Sequence, residues 1–186
     1  MQACFVIKSN LSDIKSSIGA VSTGPEQNTG GRAMIEIFYK ENGQMMVSQS
    51  EADFATIPYD SVIWIDLLSP TGEEKRSTEA FLGTTLQTRA QAEEIESSSR
   101  FYETEHAIFA NTNFLIPGPD EYNEETVSFI LIDKILTTLR ETRLKSFTDL
   151  QRRLMAFPKI YESGHIVFLS ILENRIDLDA DMVELV

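Results

Sequence analysis

The sequence predicts an α/β domain, and three observations support this class. An apolar run at 62–68 includes β-branched residues and a Trp, and it stops at Ser69-Pro70, as expected for a strand buried on both faces. Helix start signals follow at once: Ser69 can cap, Pro70 suits the first helical position, and Thr71 with Glu74 offers an alternative capping box. Two further strands are expected at 127–132 and 135–140, and only Asp133-Lys134 separates them, which predicts a hairpin.

The other elements before residue 120 follow from alternation and from turn residues. The alternating run that begins at Met34 and the Asn42-Gly43 pair predict a hairpin over 34–47. A short helix is expected at 51–57, and Pro58 ends it. The helix after the first buried strand should run from about residue 70 to 82 and stop at Gly83, and a second is expected at 88–97. Extended segments are expected at 100–103 and 107–116, before the chain breaks at 117–120.

Two helices are expected after the last strand. The segment 144–157 is amphipathic, with Phe147, Leu150 and Leu154 at helical spacing. A final helix should begin near Ser163 and run to the end, and a seam of apolar residues follows 3-4 spacing along it: Leu169, Leu172, Ile176, Val183 and Val186. No stop signal follows this seam, so we expect that the chain continues in the natural protein.

Composition favours a folded domain and argues against several classes of partner. The chain has 186 residues, 42% hydrophobic, with a net charge of −13. That charge opposes binding to nucleic acid or to anionic membranes, and it is compatible with attraction of cations. The single cysteine, Cys4, allows no internal disulfide, and the two histidines, His106 and His165, are too far apart for zinc-ligand spacing. No apolar run approaches the roughly 18 residues of a membrane span.

No motif of an active site is present, so we predict that the protein is not an enzyme. The sequence contains neither a phosphate-binding glycine loop with its Lys nor a nucleophile elbow. Asp66 stands at a strand end, where catalytic acids of α/β enzymes occur, but the favoured interpretation is that it accepts hydrogen bonds from nearby backbone groups. Arg140 and Glu141 are expected to pair locally.

An acidic segment after the chain break is the candidate metal site. Asp120, Glu121, Glu124 and Glu125 are expected on a loop, where their oxygens would suit a hard cation such as Mg²⁺ or Ca²⁺. The alternative is an exposed loop whose charge keeps the protein soluble. Asp120 is the first candidate ligand, and Glu121 and Glu124 are the others.

Several segments taken together resemble one known family. They are W-I-D-L-L-S-P-T-G-E-E at 64–74, L-G-T-T-L-Q-T-R at 82–89, E-E-I-E-S-S-S-R-F-Y-E at 93–103, V-S-F-I-L at 127–131 and T-L-R-E at 138–141. In this order they resemble the cytoplasmic N-terminal domain of the CorA family of magnesium and cobalt transporters. The resemblance spans about 62–186; the hairpin at 34–47 fits more loosely, and residues 1–33 match nothing known.

The resemblance implies a three-layer α/β/α domain with a mixed sheet over 34–162, followed by a C-terminal helix over 163–186 that leads toward a stalk. Residues 1–33, rich in Ser, Gly and Thr over 8–33, would be a flexible extension or a leader. The family implies a homopentamer on the cytoplasmic face of the inner membrane, with the pore outside this chain.

The resemblance also implies a regulatory role. Mg²⁺ or Co²⁺ would bind between neighbouring domains and hold the pore closed, and one loop carboxylate would correspond approximately to Asp120. Three other interpretations stay open: a domain of a related zinc transporter, a stand-alone α/β binding module, and a small hydrolase that uses Asp66.

Overall fold

The computed structural model describes residues 34–86, 101–117 and 122–184. These ranges contain a seven-stranded sheet and three α-helices. The strands are β1 Met34–Glu41, β2 Gln44–Ser48, β3 Val62–Leu68, β4 Phe101–Glu103, β5 Ala107–Pro117, β6 Tyr122–Ile132 and β7 Ile135–Arg140. The helices are α1 Gly72–Leu82, α2 Lys145–Ala156 and α3 Gly164–Glu184, with short 3-10 helices at Glu51–Ala55 and Tyr59–Ser61.

The sheet is mixed, as predicted, and its strand order is β2-β1-β3-β7-β6-β5-β4. Strands β3 and β7 pair in parallel, and every other neighbouring pair is antiparallel. All seven residues of β3 are buried, because β3 lies inside the sheet between β1 and β7 and is covered on both faces. The sequence-based expectation for this strand is therefore confirmed.

Both predicted two-residue hairpins are present. Asn42 and Gly43 connect β1 to β2 with φ of 51° and 77°, the left-handed geometry that matches the twist of paired strands. Asp133 adopts φ of 51° in the turn between β6 and β7. Asn, Asp and Gly tolerate positive φ better than other residues, and for that reason these turns could be predicted from the sequence.

Helix α1 starts at the alternative cap. The Thr71 hydroxyl accepts from the Glu74 N–H at 3.1 Å and the Glu74 carboxylate accepts from the Thr71 N–H at 2.7 Å, so the helix begins at Gly72 rather than at Pro70. Gly83 ends it with φ of 68°, as predicted. Ser69 lies outside the helix with φ of 44°, and its hydroxyl donates to Glu141.

Each face of the sheet carries its own hydrophobic core, which confirms the three-layer α/β/α arrangement. One core lies between the sheet and α2 with α3, and its largest buried side chains include Trp64, Phe129 and Phe147. The opposite core packs α1, through Phe81 and Leu82, onto residues of β1, β3, β6 and β7. Alternating side chains of the same strands supply the two cores.

Several boundaries differ from the expectations. The segment expected as a short helix at 51–57 is a 3-10 helix that ends at Ala55. Strand β6 starts at Tyr122 rather than at 127, so Glu124 and Glu125 lie in a strand and the predicted loop assignment for them is wrong. The reason is that all of β5 pairs with β6: Ala107 lies opposite Ile132 at one end, and Pro117 lies opposite Tyr122 at the other. This pairing makes the polar residues at the start of β6 part of the strand. The helix expected at 88–97 and the extension at 1–33 lie outside the described residues.

Candidate functional site

Of the three predicted metal ligands, only Glu124 lies within the described residues. Asp120 and Glu121 fall outside those ranges. Glu124 is exposed on β6, where its carboxylate accepts a hydrogen bond from the Asn113 amide at 2.8 Å. The side-chain amide oxygen of Asn113 accepts in turn from the Thr126 hydroxyl at 3.1 Å. These cross-strand contacts hold Glu124 at the surface, and its carboxylate has acceptor sites beyond the one that Asn113 uses.

Glu125 points to the opposite face of the hairpin and is buried, with 4% of its surface exposed. Its carboxylate accepts from the backbone N–H groups of Glu141 and Thr142 at 2.6 and 2.9 Å, and from the Thr142 hydroxyl at 3.1 Å. Burial of a carboxylate is tolerated when donors of this kind compensate it. Glu125 therefore connects β6 to the segment after β7 by hydrogen bonds. Its role is structural, whereas Glu124 lies at the surface.

Asp66 is the centre of a buried polar network. Arg140 donates to both of its carboxylate oxygens, from Nη2 at 2.7 Å and from Nε at 3.1 Å, in the bidentate geometry of strong ion pairs. The Thr138 hydroxyl donates to Asp66 at 2.7 Å and accepts from the Trp64 indole at 2.9 Å. The side chains of Arg140 and Asp66 are only 3% and 1% exposed, so this pair is enclosed by the core.

The network extends from the sheet to helix α2 and to the edge hairpin. The Gln151 amide of α2 bridges two carboxylates, donating to Asp66 at 3.1 Å and to Glu36 at 2.7 Å. Glu36 also accepts from the Gln49 amide at 3.0 Å. Arg140 closes the other end by donating to the Thr142 carbonyl at 2.7 Å, and its guanidinium lies 4.6 Å from the centre of the Phe147 ring.

This arrangement corrects two expectations. Asp66 accepts from side chains of neighbouring elements rather than from nearby backbone groups, because its side chain points into the sheet–helix core instead of toward the strand end. Arg140 pairs with Asp66 rather than with Glu141, because β3 and β7 are parallel neighbours whose register places residues 66 and 138 side by side. The parallel pairing, which local sequence patterns do not reveal, is what brings these groups together.

Tyr59 and Asp133 form a smaller polar contact that the sequence analysis missed. The Tyr59 hydroxyl donates to the Asp133 carboxylate at 3.1 Å, beside a cavity of about 190 Å³ that Asp60 also lines. Burial raises the pKa of Tyr59 above its usual value of 10.0, and the hydrogen bond and negative charge of Asp133, with the charge of Asp60, raise it further. No local pattern signals this contact, since residues 59 and 133 meet only in the folded chain.

The described part of the chain does not bring together a closed metal site. Within residues 34–86, 101–117 and 122–184, no group of three or more His, Cys, Asp or Glu side chains is placed to hold a metal ion. Mg²⁺ prefers six oxygen ligands and keeps several waters, so an exposed carboxylate such as Glu124 can serve as one ligand of a largely hydrated ion. Among the helices of these ranges, none is both long enough and apolar enough to cross a membrane.

The sheet order and the helix layers are those of a known fold. The fold is that of the soluble domain of CorA from Methanocaldococcus jannaschii, with a TM-score of 0.52 at 15% identity over 83% of this chain and 62% of that one. It also matches the full-length CmaX protein, with a TM-score of 0.61 at 10% identity over 85% of this chain and 50% of that one. The ZntB cytoplasmic domain from Vibrio parahaemolyticus gives 0.51 at 16% identity, over 82% and 62% of the two chains. The TM-scores, all above 0.5, show that these proteins share the fold although their sequence identities to this chain are low.

Sequence comparison shows a similarity to curated magnesium transport proteins. The chain is 31% identical over 156 residues to the magnesium transport protein CorA of Wolinella succinogenes, and 28% identical over 152 residues to that of Escherichia coli K12. Each match covers 81% of this chain, and 49% and 47% of the respective relatives. No family model matches the sequence. The chain is therefore similar to curated CorA magnesium transport proteins over most of its own length, which confirms the resemblance that the sequence motifs predicted, and it spans about half the length of those relatives.

Proposed function

We propose that this chain is the cytoplasmic regulatory and scaffold domain of a CorA-like transporter of the divalent metal ions Mg²⁺ and Co²⁺. In this role it senses intracellular divalent cations and gates a membrane pore that lies outside this chain. The observation that carries the proposal is the 31% identity over 156 residues to a magnesium transport protein. The protein would act as a homopentamer on the cytoplasmic face of the inner membrane.

The charge of the molecule supports a sensing mechanism. With a net charge of −13, neighbouring copies repel each other, and a divalent cation between their acidic surfaces offsets that repulsion. An ion that binds one arrangement of the copies better than another shifts the population toward it, which is how cation binding would close the pore. Asp120, Glu121 and Glu124 are the proposed carboxylates, with water completing the coordination shell.

The buried network supports the scaffold role. Both oxygens of Asp66 are used by Arg140, and Thr138 and Gln151 donate to the same carboxylate. A carboxylate that is enclosed and used in this way is poorly suited to take up or release a proton during catalysis. For this reason we assign Asp66 to the stability of the domain and not to an enzymatic reaction.

One observation favours a second candidate for the transported ion. The likeness to the ZntB cytoplasmic domain is close to the likeness to the CorA soluble domain, with TM-scores of 0.51 and 0.52. A zinc-transporting relative would use the same scaffold, as would a stand-alone binding module. The curated magnesium relatives make Mg²⁺ the first choice.

The test is the cation dependence of the protein produced from the complete gene. We expect its melting temperature to rise when MgCl₂ increases from zero to about 10 mM, because Mg²⁺ bridges acidic surfaces of neighbouring copies. The triple variant Asp120→Asn, Glu121→Gln, Glu124→Gln should lose most of this rise. Parallel titrations with CoCl₂ and ZnCl₂ rank the candidate ions.

The control variant removes the same charge elsewhere. Glu41, Glu103 and Glu105 are exposed, and their replacement by Gln changes the net charge equally without touching the proposed ligands. The site assignment is wrong if both triple variants lose the Mg²⁺ response to the same extent. The proposed function is wrong if the complete protein shows no response to any of the three cations and no metal uptake in cells.

A further inference from the structure

The two edge strands of the described sheet differ in how they are protected. Strand β4 forms one edge; it has only three residues, and one of them, Glu103, is charged. Short length and charge are the usual means by which an edge strand avoids pairing with another chain. Strand β2 forms the other edge; none of its five residues is charged, and Met46 and Val47 are 38% and 41% exposed. Strand β2 therefore lacks these protections against pairing with a further strand.

The pairing of β2 with β1 determines which backbone groups face the open side. Antiparallel pairs alternate between those that exchange hydrogen bonds and those that do not, and the pair of Glu41 and Gln44 closes the two-residue turn. By this alternation, the N–H and C=O groups of Met45 and Val47 point away from β1. Their side chains lie on the face of the sheet that α2 covers, where Met45 belongs to the core and Val47 is exposed. A strand beside β2 would therefore pair with the backbone of these two residues.

A groove separates this part of the sheet from helix α2. Its volume is about 550 Å³, and its apolar lining includes Phe38 and Val47 from the sheet and Met155 from α2. Met155 is 42% exposed, so the groove leaves apolar surface of both elements in contact with solvent. Alternate side chains of a strand beside β2 would point to the same face as Val47 and would enter the groove. Backbone pairing combined with pockets for alternate side chains is how sheet edges recognise extended peptides.

The charge of α2 and its flanking residues is opposite to that of the whole chain. The segment 143–159 has one acidic residue, Asp149, and five basic residues, which gives a net charge of +4. The rest of the chain then carries −17, since the whole carries −13. The five basic residues are all exposed: Arg143, Lys145, Arg152, Arg153 and Lys159. Arg152 lines the groove, and so does Glu36, whose two oxygens already accept hydrogen bonds from side-chain amides. This basic surface favours an acidic ligand.

We propose that the open side of β2 and the groove beside α2 bind an extended acidic peptide of a partner protein, which adds to the sheet as a further strand. Apolar residues at alternate positions of the peptide enter the groove, and its carboxylates lie near the basic residues of α2. A second copy of this chain would present the same uncharged strand and the same basic helix, so it lacks the complementary charge. This binding does not depend on which ion the protein senses or transports.

The first experiment selects peptides that bind the 186-residue chain from a phage-displayed library of random sequences of about 12 residues, longer than β2. We expect the selected sequences to share a negative net charge and apolar residues at alternate positions. As synthetic peptides they should bind with a 1:1 ratio, and more weakly as the salt concentration rises. The proposal is overturned if no peptide is selected, or if the selected peptides are basic or have apolar residues at helical spacing.

The second experiment locates the bound peptide by amide hydrogen exchange. The amides of Met45 and Val47 face the open side, so their exchange should slow by at least about tenfold when a selected peptide binds. The amides of Gln44 and Met46 point to β1 and should change little. Methylation of alternate backbone nitrogens of the peptide should prevent binding in one phase of the alternation only, because only one set of its N–H groups faces β2. Unchanged exchange at Val47 would rule out strand addition.

Two variants test the groups that the peptide would use. Val47→Pro removes an N–H that faces the open side, a position at which edge strands tolerate proline, and it should weaken binding by at least about tenfold. Arg152→Glu reverses a charge that lines the groove and should weaken binding by at least about fivefold at low salt. Circular dichroism shows whether each variant is folded, and Arg152→Glu with the exchange data tests the proposal even if Val47→Pro does not fold.

Arg76→Glu is the matched control for charge. Arg76 is exposed on α1, which packs on the opposite face of the sheet, so its reversal should change the affinity by less than about twofold. Equal weakening by Arg76→Glu and Arg152→Glu would show that only the total charge matters, and it would overturn the assignment of the groove. The proposal is also overturned if the chain forms a dimer that Val47→Pro dissociates, because a second copy would then occupy the edge.

Discussion

Asp66 and Arg140 lie on neighbouring parallel strands and form an ion pair that almost no solvent reaches. Further hydrogen bonds stabilise the pair: Thr138 and Gln151 also donate to the Asp66 carboxylate, and Arg140 also donates to the Thr142 carbonyl. Burying two charges costs solvation energy, and a favourable geometry with additional hydrogen bonds is what offsets that cost. The residues around the pair are therefore as important as the pair itself.

Replacement of one residue of the pair should destabilise the protein, because the solvation cost of the remaining buried charge is no longer offset. Asp66→Asn leaves Arg140 charged, buried and without its carboxylate, and we expect the free energy of unfolding to fall by about 3 kcal/mol or more. Urea unfolding of the full chain, followed by the fluorescence of the single Trp64, measures the change. Trp64 belongs to the network through Thr138, so the signal reports on this region.

Asp149→Asn provides the comparison. Asp149 pairs with Lys145 at 3.6 Å and with Arg152 at 3.4 Å on the surface of α2, where solvent screens the charges. Its loss should change the free energy of unfolding by less than about 0.5 kcal/mol. Equal effects of the two variants would contradict the role assigned to the buried pair.

The Tyr59 hydroxyl gives a pH-dependent prediction. Its pKa is raised in the folded state, so its contribution to stability is fully present below the ordinary pKa of 10.0 and is lost as the pH rises through the raised value. Asp133→Asn removes the hydrogen-bonded negative charge and should lower the pKa of Tyr59. Absorbance of tyrosinate, with the Tyr59→Phe titration subtracted, measures it, and an unchanged pKa in Asp133→Asn would exclude this explanation.

At the scale of elements, the start of α3 is fixed by its close approach to strand β7. The Gly164 N–H donates to the Lys134 carbonyl at 2.6 Å, and a Cβ on Gly164 would lie 2.8 Å from both that oxygen and the Ile135 carbonyl carbon. Only glycine allows two backbones to approach this closely. This contact places α3 on the sheet and thereby determines which of its faces points outward.

Gly164→Ala should therefore separate α3 from the β6–β7 turn. We expect a loss of about 2 kcal/mol or more in the free energy of unfolding, because the contacted atoms are backbone and cannot move aside. Gly72→Ala is the control: its Cβ would lie 3.3 Å from the tip of the flexible Arg76 side chain, and alanine favours the helix. Thermal unfolding compares the two, and a neutral Gly164→Ala would show that α3 can dock without this approach.

Strand β6 shows how far local patterns could predict an element and where they failed. Its apolar half was predicted, because 127–132 reads as a buried strand. Its polar half, Tyr122 to Thr126, carries no such signal and is a strand only because β5 supplies a partner along its full length. Local sequence therefore determines one end of this strand, and pairing with β5 determines the other. Glu124 and Glu125 lie in the end that pairing determines, so their place in a strand could not be predicted from local sequence.

At the scale of the whole molecule, the excess of negative charge should make stability depend on salt. Raising NaCl from about 0.05 to about 0.5 M shortens the screening length and weakens repulsion within the chain, and we expect a rise in melting temperature of about 2–4 °C at pH 7. Near the isoelectric pH of about 4.5 the same salt change should have little effect, because the net charge is then close to zero. If the melting temperature rose equally at both pH values, the cause would be salting-out of apolar surface and not screening of charge.

The class of fold, most element boundaries and the resemblance to the CorA family could be predicted from the sequence, because turn residues, caps, apolar alternation and short motifs are local signals that each segment carries. Folding is what pairs Asp66 with Arg140, buries Glu125 while Glu124 stays exposed, and leaves Leu169 and Ile176 of α3 exposed. These features depend on which strands become neighbours and in what register, and such contacts join residues as far apart as 66 and 140. The physical reason is that a side chain's function follows from its partners, and its partners are set by the sheet order.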